Sequence, residues 1–534
     1  MTDSDRPEQR HWRYTLIVLL LPLSLALAGC LSDDESTPEQ PTPSPTSQPA
    51  QSTETTTSPS EPPARAATAS PTASPTTTAT ASPTLEPSAT PTPDASPVPA
   101  GQEEDLPNVT LTYAIDARLR DVESGIVDAQ SVVTITSQES APLDRLFFRI
   151  APAQFNEFSL NRLSREGIEV DSIATDNGTT LEIPLEPPLA PSDTTQLAFD
   201  FVVPLRDTGD GFASITRDGE VMRLGVWYPM LSNDDGYPPL LDPPYTLAAD
   251  YSVSFTAPAE VVVAASGELT APPQNTDAGI RYDYTLENGR DFALMLSTAY
   301  AVDERMTASG IVVRQYTLAS EYGTSDDERA SIRDQAFATA ERALAEFSAN
   351  IGPYPWPSLA LVEAGPGLGG GIEYSALTII SYDSGALDNL VAHETAHMWF
   401  YGIIGTRTQA DPWLDEGAAT FLGNGIDRGD YTISSDRGAN IYIAPLGASI
   451  EELAMHGGDW VTAVYTQGGS FYSDMLIEMG DDAFWAAMQE IYTTQQFGIA
   501  TPWEVLTSFA AHTDSDLSAI YARYFSYEWL GEVE

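Results

Sequence analysis

The sequence predicts an α+β multidomain protein, in which an all-β saddle or sandwich is followed by a mostly helical domain. Apolar and polar residues alternate in strand-like runs from residue 107 to about residue 305. Beyond that point, apolar residues recur every three or four positions, which indicates amphipathic helices. The two parts together have about 430 residues, which is enough to bury two hydrophobic cores.

Residues 1–29 have the features of a segment that is removed during export. Arginines precede an apolar run from residue 14 to residue 27, which is shorter than the roughly 20 residues that a membrane-spanning helix needs. The run leads into Gly29 and Cys30, the single cysteine of the chain. This ending resembles a bacterial lipobox, which implies cleavage before Cys30 and a lipid on its sulfur. We therefore predict an extracytoplasmic protein, lipid-anchored to the bacterial cell membrane, with a plain secretory signal or an uncleaved membrane anchor as alternatives.

Residues 30–106 are dominated by proline, serine and threonine. A segment of this composition cannot bury enough apolar surface to fold, and its prolines keep it extended. We predict that it is a disordered linker, which lifts the folded part of the protein away from the membrane.

Residues 107–305 are predicted to form the β domain. The segments 109–115 and 131–136 alternate between apolar and polar residues, as strands with one buried face do. Turn-forming pairs such as Asn177-Gly178 and Asn288-Gly289 separate the strands. Further strand-like runs lie at 146–150, 197–203, 251–255 and 261–265.

Residues 306–534 are predicted to form the second domain. Ser325 and Glu328 have the spacing of a capping box, which starts a helix that continues to about Asn350. A strand is predicted at 359–363. Amphipathic helices that close the domain are predicted at 483–492, 502–511 and 517–529.

The stretch between residues 390 and 420 contains a candidate zinc site. His393 and His397 are four positions apart, so on a helix they lie on one face and can bind the same metal ion. Glu394 is placed to act on a water that the metal activates, without binding the metal itself. Glu416, on a second predicted helix, can supply the third ligand. Three protein ligands with one open position are typical of a catalytic zinc ion, one per chain.

A motif as short as H-E-x-x-H also arises by chance on buried helices, so its surroundings matter. The flanks of this motif are apolar, and burying two imidazoles and two carboxylates there without a metal would be costly. The second helix has the residues that helix starts favour, with Asp411 as a cap and Pro412 at the first position. We therefore predict a catalytic zinc site rather than an incidental motif.

The same residues resemble a known family. His393-Glu394-x-x-His397, eighteen further residues and Glu416 within Trp-Leu-Asp-Glu-Gly are similar to the H-E-x-x-H-x18-E pattern of the aminopeptidase N family of zinc metallopeptidases, which are gluzincins. The resemblance implies a thermolysin-like catalytic domain after the β domain. Because the chain ends at Glu534, it also implies a member without the family's large C-terminal helical domain.

Residues 369–374, Gly-Gly-Gly-Ile-Glu-Tyr, resemble the family's G-x-M-E-N motif. Glycines let a backbone lie close to a substrate, and an edge strand here can pair with a peptide. We therefore predict that Gly370 and Gly371 bind the substrate. The resemblance implies that Glu373 holds the free α-ammonium group of the substrate. A glycine-rich turn with a solvated glutamate is the alternative.

Two more site residues are predicted downstream of the zinc motif. Residues 464–469, Val-Tyr-Thr-Gln-Gly-Gly, resemble the family's Y-E-K-G segment. The resemblance implies that Tyr465 donates a hydrogen bond to the oxyanion of the tetrahedral intermediate, a role that needs a positioned donor. Thr420, one turn beyond Glu416, is a candidate to orient a ligating imidazole.

The composition argues against nucleic acid as a partner. The net charge is −53, and every basic side chain apart from the histidines is an arginine. Contacts with phosphates need a basic surface, which this chain lacks. An acidic surface keeps a protein soluble and favours cationic peptides, and it also suits adaptation to salt.

These observations predict a zinc-dependent peptide hydrolase, foremost an aminopeptidase that removes N-terminal residues from peptides. Glu394 would take a proton from the attacking water and pass it to the leaving amine. Three residues depart from the family pattern, since Met398, Gln467 and Tyr374 stand where relatives have glutamine, lysine and asparagine. With these departures and a more open cleft, an endopeptidase is one alternative. A catalytically silent surface-binding protein on a peptidase scaffold is another.

Overall fold

The computed structural model describes residues 106–155, 158–207, 215–233, 245–318, 325–365, 368–432, 444–455 and 460–526. The predicted export segment, Cys30 and all but the last residue of the predicted linker lie outside these residues. No helix within the described ranges is both long enough and apolar enough to cross a membrane.

The N-terminal part of the chain is β-rich, as predicted. Buried and exposed residues alternate along the whole of the first strand, because only one face of its sheet meets the core. Two short 3₁₀ turns, Ala151–Phe155 and Asp176–Gly178, interrupt the strands. In chain order the strands are β1 (Val109–Leu119), β2 (Ile126–Ser137), β3 (Leu143–Arg149), β4 (Ser159–Arg165), β5 (Ile168–Glu169), β6 (Ile173–Thr175), β7 (Thr180–Leu189), β8 (Thr194–Pro204), β9 (Arg206–Asp207), β10 (Ile215–Asp218), β11 (Val221–Leu224), β12 (Met230–Ser232), β13 (Ala249–Ala257), β14 (Val262–Ala265), β15 (Glu268–Leu269), β16 (Gln274–Thr276), β17 (Gly279–Gly289) and β18 (Leu294–Ser297).

Within the described residues, these strands form three sheets. The largest has the order β15-β17-β13-β1-β2-β8-β4-β5, with β16 paired to β17, and only its β1–β13 pair is parallel. The smaller sheets have the orders β14-β18-β11-β10-β9 and β12-β3-β7-β6. Their apolar faces share a core in which the rings of Tyr113, Tyr228 and Tyr251 pack together.

The C-terminal part is mostly helical and contains one further described sheet, in the order β19-β20-β21-β23-β22. Strands β20, β21 and β23 are parallel, and β22 lies at the edge, antiparallel to β23. Its elements are β19 (Tyr300–Met306), β20 (Val312–Leu318), α1 (Asp326–Asn350), β21 (Ser358–Glu363), β22 (Gly371–Tyr374), β23 (Leu377–Ile380), α2 (Leu387–Ala396), the π-helical turn π1 (Trp413–Gly417), α3 (Ala418–Arg428), α4 (Ile450–Met455), the π-helical turn π2 (Thr462–Gln467), α5 (Gly468–Met479), α6 (Asp481–Gln495), α7 (Pro502–Ala511) and α8 (Ser518–Tyr524).

Helix α1 begins where the capping pattern places it. Ser325 Oγ accepts a hydrogen bond from the Glu328 backbone N–H at 3.2 Å, and the helix buries one stripe that includes Ala340 and Phe347. Strand β19 runs across the predicted domain boundary at residues 305 and 306 and pairs with β20. The domain boundaries and the thermolysin-like character of the second domain stay predictions.

Candidate metal centre

Helix α2 carries the first four residues of the histidine motif, and His397 is its C-cap. It is buried on its apolar side through residues such as Val391, Ala392 and Ala396, which holds it against the sheet and α3. The helix ends at His397, whose backbone N–H still bonds to the His393 carbonyl. Both imidazoles therefore face the same side, one helical turn apart, as their four-residue spacing predicts.

Glu416 lies on the π-helical turn π1 and not on a regular α-helix. The sequence predicted one helix capped by Asp411, whereas Pro412 is the N-cap residue and no side chain caps the turn. From Ala418 onward the same helix continues as α3. A π-turn accommodates one extra residue per turn, and such turns occur mostly at functional sites. The turn directs the Glu416 carboxylate towards α2.

Three side-chain atoms meet at one point between these elements. Nε2 of His393 lies 3.1 Å from Oε2 of Glu416 and 3.2 Å from Nε2 of His397, which is itself 3.3 Å from the Glu416 oxygen. Ligands of a tetrahedral zinc ion with bonds of 2.0–2.1 Å are separated by about 3.3 Å. These three atoms therefore have the spacing of three corners of a zinc tetrahedron.

The surroundings orient the ring of His397. Its Nδ1 lies 3.2 Å from the Phe400 carbonyl oxygen, to which it donates, so the neutral ring has its lone pair on Nε2. Burial lowers the pKa of His397, but the charges of Glu373 and Glu416 outweigh it and raise that pKa well above the usual value. Burial also acts to raise the pKa of Glu416, yet both imidazoles hold it far below its usual value.

Glu394 is a buried carboxylate beside the three candidate ligands. Its Oε2 has no hydrogen-bond partner among the described residues. Burial raises the pKa of Glu394 to about 6, partly offset by the neighbouring imidazoles. The backbone of Gly371 lies so close that a side chain there would overlap the Glu394 carboxylate. The glycine in β22 is thus what makes room for this acid.

The edge strand β22 brings a second carboxylate to the same place. Glu373 is only 6% exposed, and one of its oxygens lies within 4.8 Å of ligand atoms of Glu394 and His397. The alternative of a solvated glutamate in a glycine-rich turn is therefore not observed. Gly370 precedes the strand, and its carbonyl accepts a hydrogen bond from Ser381 N at 2.9 Å.

Tyr465 reaches the site from the second π-helical turn, π2. Its hydroxyl donates to Oε1 of Glu416, and its ring stacks near the His393 ring at 5.8 Å between centroids and 21° between planes. The half-buried Trp460 lies beside it, 6.3 Å away. The structure therefore brings together His393, Glu394, His397, Glu416, Glu373, Gly371 and Tyr465.

Solved structures with a similar fold come from Deinococcus radiodurans. A crystal structure of an M1 zinc metallopeptidase from that organism matches with a TM-score of 0.62 and 18% identity, over 79% of this chain and 94% of the other. A mutant of that enzyme bound to a Tyr-Ser-Ala substrate matches with the same TM-score and identity, over 79% and 95%. This chain has the M1 zinc metallopeptidase fold.

The likeness is one of structure more than of sequence. A two-domain M1 zinc metallopeptidase mutant bound to L-arginine also matches, with a TM-score of 0.61 and 18% identity, over 79% of this chain and 94% of the other. No sequence-family model and no curated protein matches the chain. The M1 fold accounts for the order of a β-rich part followed by a helical part that carries the candidate metal centre.

Thr420 does not support an imidazole, contrary to the prediction. Its Oγ1 is buried and bonds to no group in the part of the chain that the structure describes. Its methyl group instead faces α5, where a Cβ on Gly469 would lie 2.9 Å from it. Thr420 lies in α3, after the π-turn that carries Glu416, and its side chain packs beside Gly469.

Two groups at this centre of the M1 fold were not predicted. Asp415 accepts hydrogen bonds from Glu416 N at 2.7 Å and from Thr406 Oγ1 at 2.8 Å, which fixes the start of π1. Burial and the charge of Glu416 raise the pKa of Asp415 to about 7. The position of Asp415 next to a predicted ligand was a sequence signal that could have identified it. No sequence signal could have identified the Phe400 carbonyl, because every residue has a backbone carbonyl.

Proposed function

We propose that the protein is a zinc-dependent peptide hydrolase, foremost an aminopeptidase. The observation that carries the proposal is the 3.1–3.3 Å triangle of His393, His397 and Glu416 ligand atoms beside the buried Glu394 carboxylate. Two imidazoles and one carboxylate are a donor set of catalytic zinc in peptidases, and in such sites a further carboxylate lies beside the metal and acts on its water. A mutant of an enzyme with the same fold binds a tripeptide substrate, which supports a peptide as the substrate here.

Each residue of the site has its own role in the proposed reaction. Zinc, when bound by the three ligands, supplies Lewis-acid chemistry that polarises a carbonyl and acidifies a water. Glu394 takes a proton from the water as its oxygen attacks the peptide carbon, and it returns that proton to the nitrogen as the C–N bond breaks. Tyr465, whose hydroxyl donates to the Glu416 ligand in the free protein, would turn this donor to the oxyanion that forms beside the same ligand.

Glu373 supports release from the amino terminus. Its buried carboxylate is close to Glu394 and His397, so an ammonium group that pairs with it has the first peptide bond beside the metal centre. Strand β22 is an edge strand, and a peptide can pair with its free side. Gly371 keeps that strand close to Glu394. The amine thus held belongs to the same residue as the reacting carbonyl.

The test compares cleavage with metal content. We expect stoichiometric zinc in the wild-type protein and in Glu394→Gln, and a loss of turnover in that variant of about 10²–10⁴-fold, the usual contribution of a general base. Glu260→Gln, a change of an exposed glutamate, is the matched control and should retain full activity. Retained turnover in Glu394→Gln would refute its role as base.

Substrate choice separates the three candidate functions. Aminoacyl-coumarins and internally quenched peptides are assayed with and without a chelator. Chelator-sensitive release from the amino terminus supports an aminopeptidase, and chelator-sensitive internal cutting supports an endopeptidase. Failure to cleave either substrate would leave a surface-binding protein on a peptidase scaffold.

We further propose that a lipid on Cys30 holds the protein at the outer side of the bacterial cell membrane. Support comes from the sequence alone, namely the apolar run that ends in Leu-Ala-Gly-Cys. Metabolic labelling with palmitate checks this, since Cys30→Ala should remove the label and release the protein from the membrane fraction. Labelling of the variant at the wild-type level would contradict lipidation at this residue.

A further inference from the structure

One buried carboxylate outside the metal centre joins three segments of the chain. Asp291 lies in the loop between β17 and β18 and has no exposed surface. Its Oδ1 accepts a hydrogen bond from Ser375 N at 3.1 Å, in the turn between β22 and β23. Its Oδ2 accepts from the hydroxyl of Tyr401, four residues beyond His397. The β-rich part thus contacts both the edge strand and the segment that follows α2.

The neighbouring Arg290 strengthens the same junction. Its backbone N–H donates to Ser375 Oγ at 2.8 Å, so the turn is held by two successive residues. Its buried guanidinium donates to the carbonyl oxygens of Thr246 at 2.9 Å and Tyr401 at 3.0 Å. These acceptors are all backbone or hydroxyl oxygens of fixed elements, so the loop has little freedom to move relative to β22.

The held turn is directly attached to the candidate amine-binding residue. Ser375 is two residues beyond Glu373, and the intervening Tyr374 is fully buried. The turn is tight, with Ala376 at φ 59°, a conformation that non-glycine residues adopt only where surrounding contacts impose it. A change at the Ser375 end therefore moves the whole four-residue strand, including the Glu373 carboxylate.

The second bond of Asp291 reaches the histidine segment. Tyr401 follows Phe400, whose carbonyl accepts the hydrogen bond from His397 Nδ1. Tyr401 has φ 123°, which is strained for a tyrosine and is imposed by its contacts. The pKa of Tyr401 is raised by burial, by Asp291 and also by the charge of Glu373, so its hydroxyl and the Glu373 carboxylate interact electrostatically.

We propose that Asp291 is a positioning residue for recognition of the substrate's amino terminus, acting through Ser375 and Tyr401 on Glu373. This inference rests on the proposed aminopeptidase function, in which Glu373 holds the substrate ammonium group. Asp291 accepts one hydrogen bond at each of its two carboxylate oxygens, and asparagine replaces one of these oxygens by an amide group that only donates. In Asp291→Asn, either Tyr401 or the Ser375 turn loses its acceptor, and Glu373 shifts relative to the metal centre.

The test measures binding of the ammonium group apart from the chemistry. Two probes are used on the zinc-loaded protein, leucine hydroxamate and the same hydroxamate without its amino group. Both bind metal through the hydroxamate, and only the first has an ammonium group for Glu373. We expect the wild type to prefer the amino probe by at least about tenfold, the value of one charge-assisted hydrogen bond. Titration calorimetry gives the ratio of the two Kd values directly.

In Asp291→Asn, the ratio of the two Kd values should be about tenfold smaller than in the wild type. The Kd of the probe without the amino group should stay unchanged. Tyr401→Phe removes one of the same bonds and should shift the ratio in the same direction. Asp474→Asn is the control for the same change at another buried acid, because Asp474 Oδ2 accepts from both Tyr524 and Arg523 at 2.7 Å, and these three residues lie in α5 and α8. The control should keep the wild-type ratio.

The outcomes separate this inference from the proposed function. A wild type that binds both probes equally contradicts amine recognition itself, and with it the aminopeptidase proposal. A wild type that prefers the amino probe, together with a folded Asp291→Asn variant of unchanged preference, overturns the role of Asp291. If Asp291→Asn does not fold, the Tyr401→Phe ratio decides the question. An equal loss in Asp474→Asn would also overturn it.

Discussion

Asp291 carries a charge in a place that water does not reach. Burial raises the pKa of Asp291 from 3.8 to about 7, and the hydrogen bonds from Tyr401 and Ser375 together with the charge of Arg290 offset only part of that effect. The fully buried Arg290 is affected in the opposite direction, since burial lowers its pKa to about 10. Two adjacent residues thus share the cost of burying charge at the junction with the edge strand.

This shift predicts how stability changes with pH. The folded state binds the Asp291 proton more tightly than the unfolded state, so this group favours folding below about pH 4 and loses that contribution as the pH rises through about 7. The difference in unfolding free energy between wild type and Asp291→Asn should therefore fall across that range. A shift of about three pKa units corresponds to roughly 4 kcal/mol as an upper bound.

Urea unfolding of both proteins from pH 4 to pH 8 measures this difference. The constant effect of the lost acceptor cancels, because only the change with pH is compared. Asp474→Asn again serves as the control. A wild-type minus Asp291→Asn difference that stays flat between pH 4 and pH 8 would show that Asp291 does not change its protonation on unfolding there.

At the residue level, side-chain placement was predictable where the neighbours are close in sequence. His393 and Glu394 lie on α2 and His397 caps it, so their spacing alone places them together. The surroundings of Thr420 were not predictable, because Gly469 approaches it from another helix. Asp291 was missed because its partners are 84 and 110 positions away. No periodicity within a strand or helix shows such pairs.

At the scale of elements, the metal centre depends on two π-helical turns that pack through glycines. π1 carries Glu416 and π2 carries Tyr465, and each is followed by a regular helix. A Cβ on Gly468 would lie 2.9 Å from Gly417 Cα, so the two backbones touch. This close approach is what lets the Tyr465 hydroxyl reach Glu416.

Gly468→Ala tests the packing of these turns. Helix propensity alone predicts a gain of about 0.5–1 kcal/mol from alanine. The clash with Gly417 opposes it, and overpacking usually costs about 1–3 kcal/mol. We therefore expect a less stable protein with turnover reduced about tenfold or more, because separating the turns moves Tyr465 away from Glu416.

Denaturant unfolding and kcat on the same preparation measure both effects. Gly385→Ala is the matched control, since a Cβ there meets nothing within 4 Å. It should change stability by no more than about 0.5 kcal/mol. A Gly468→Ala protein that is more stable and equally active would contradict the close packing of the turns.

Helix and strand boundaries were predictable where end signals are explicit. α7 begins with a full capping box at Thr501 and Glu504, and its observed span equals the predicted one. α1 likewise begins after Ser325. The π-turns were not predictable, because an α-helix and a π-turn share the same apolar pattern over five residues and differ only in hydrogen-bond register.

At the scale of the whole molecule, the β-rich and helical parts share one core. The largest of three described clusters of buried apolar residues runs from Val109 to Phe525 and contains residues of both parts. Two buried arginines of the β-rich part add hydrogen bonds across the junction. Arg223 donates to the Ala364 carbonyl at 3.0 and 2.6 Å, and Arg290 donates to the Tyr401 and Gly498 carbonyls. Arg223 thus holds the chain between β21 and β22, and the backbone N–H of Arg290 holds Ser375 directly after β22.

The order of the two parts was predictable from the change in periodicity, and the M1 fold agrees with it. The junction was not predictable, because its arginines bond to backbone carbonyls, which carry no sequence pattern. A buried arginine in a run such as Asn-Gly-Arg-Asp looks like an ordinary surface turn. The role of the β-rich part in holding the edge strand therefore emerges only from the three-dimensional arrangement.

The shared core and the buried arginines predict that the two parts unfold together. We expect one calorimetric transition for the zinc-loaded wild type, because unfolding either part exposes apolar surface of the other. Arg290→Met should lower the unfolding free energy by about 3–5 kcal/mol, since it leaves the carbonyl oxygens of Thr246, Tyr401 and Gly498 without their buried donor. Arg281→Met, which removes a partly exposed arginine paired with Asp116, should cost no more than about 1 kcal/mol. Two separated transitions in the wild type would show that the junction does not couple the parts, and the edge strand would then be held by the helical part alone.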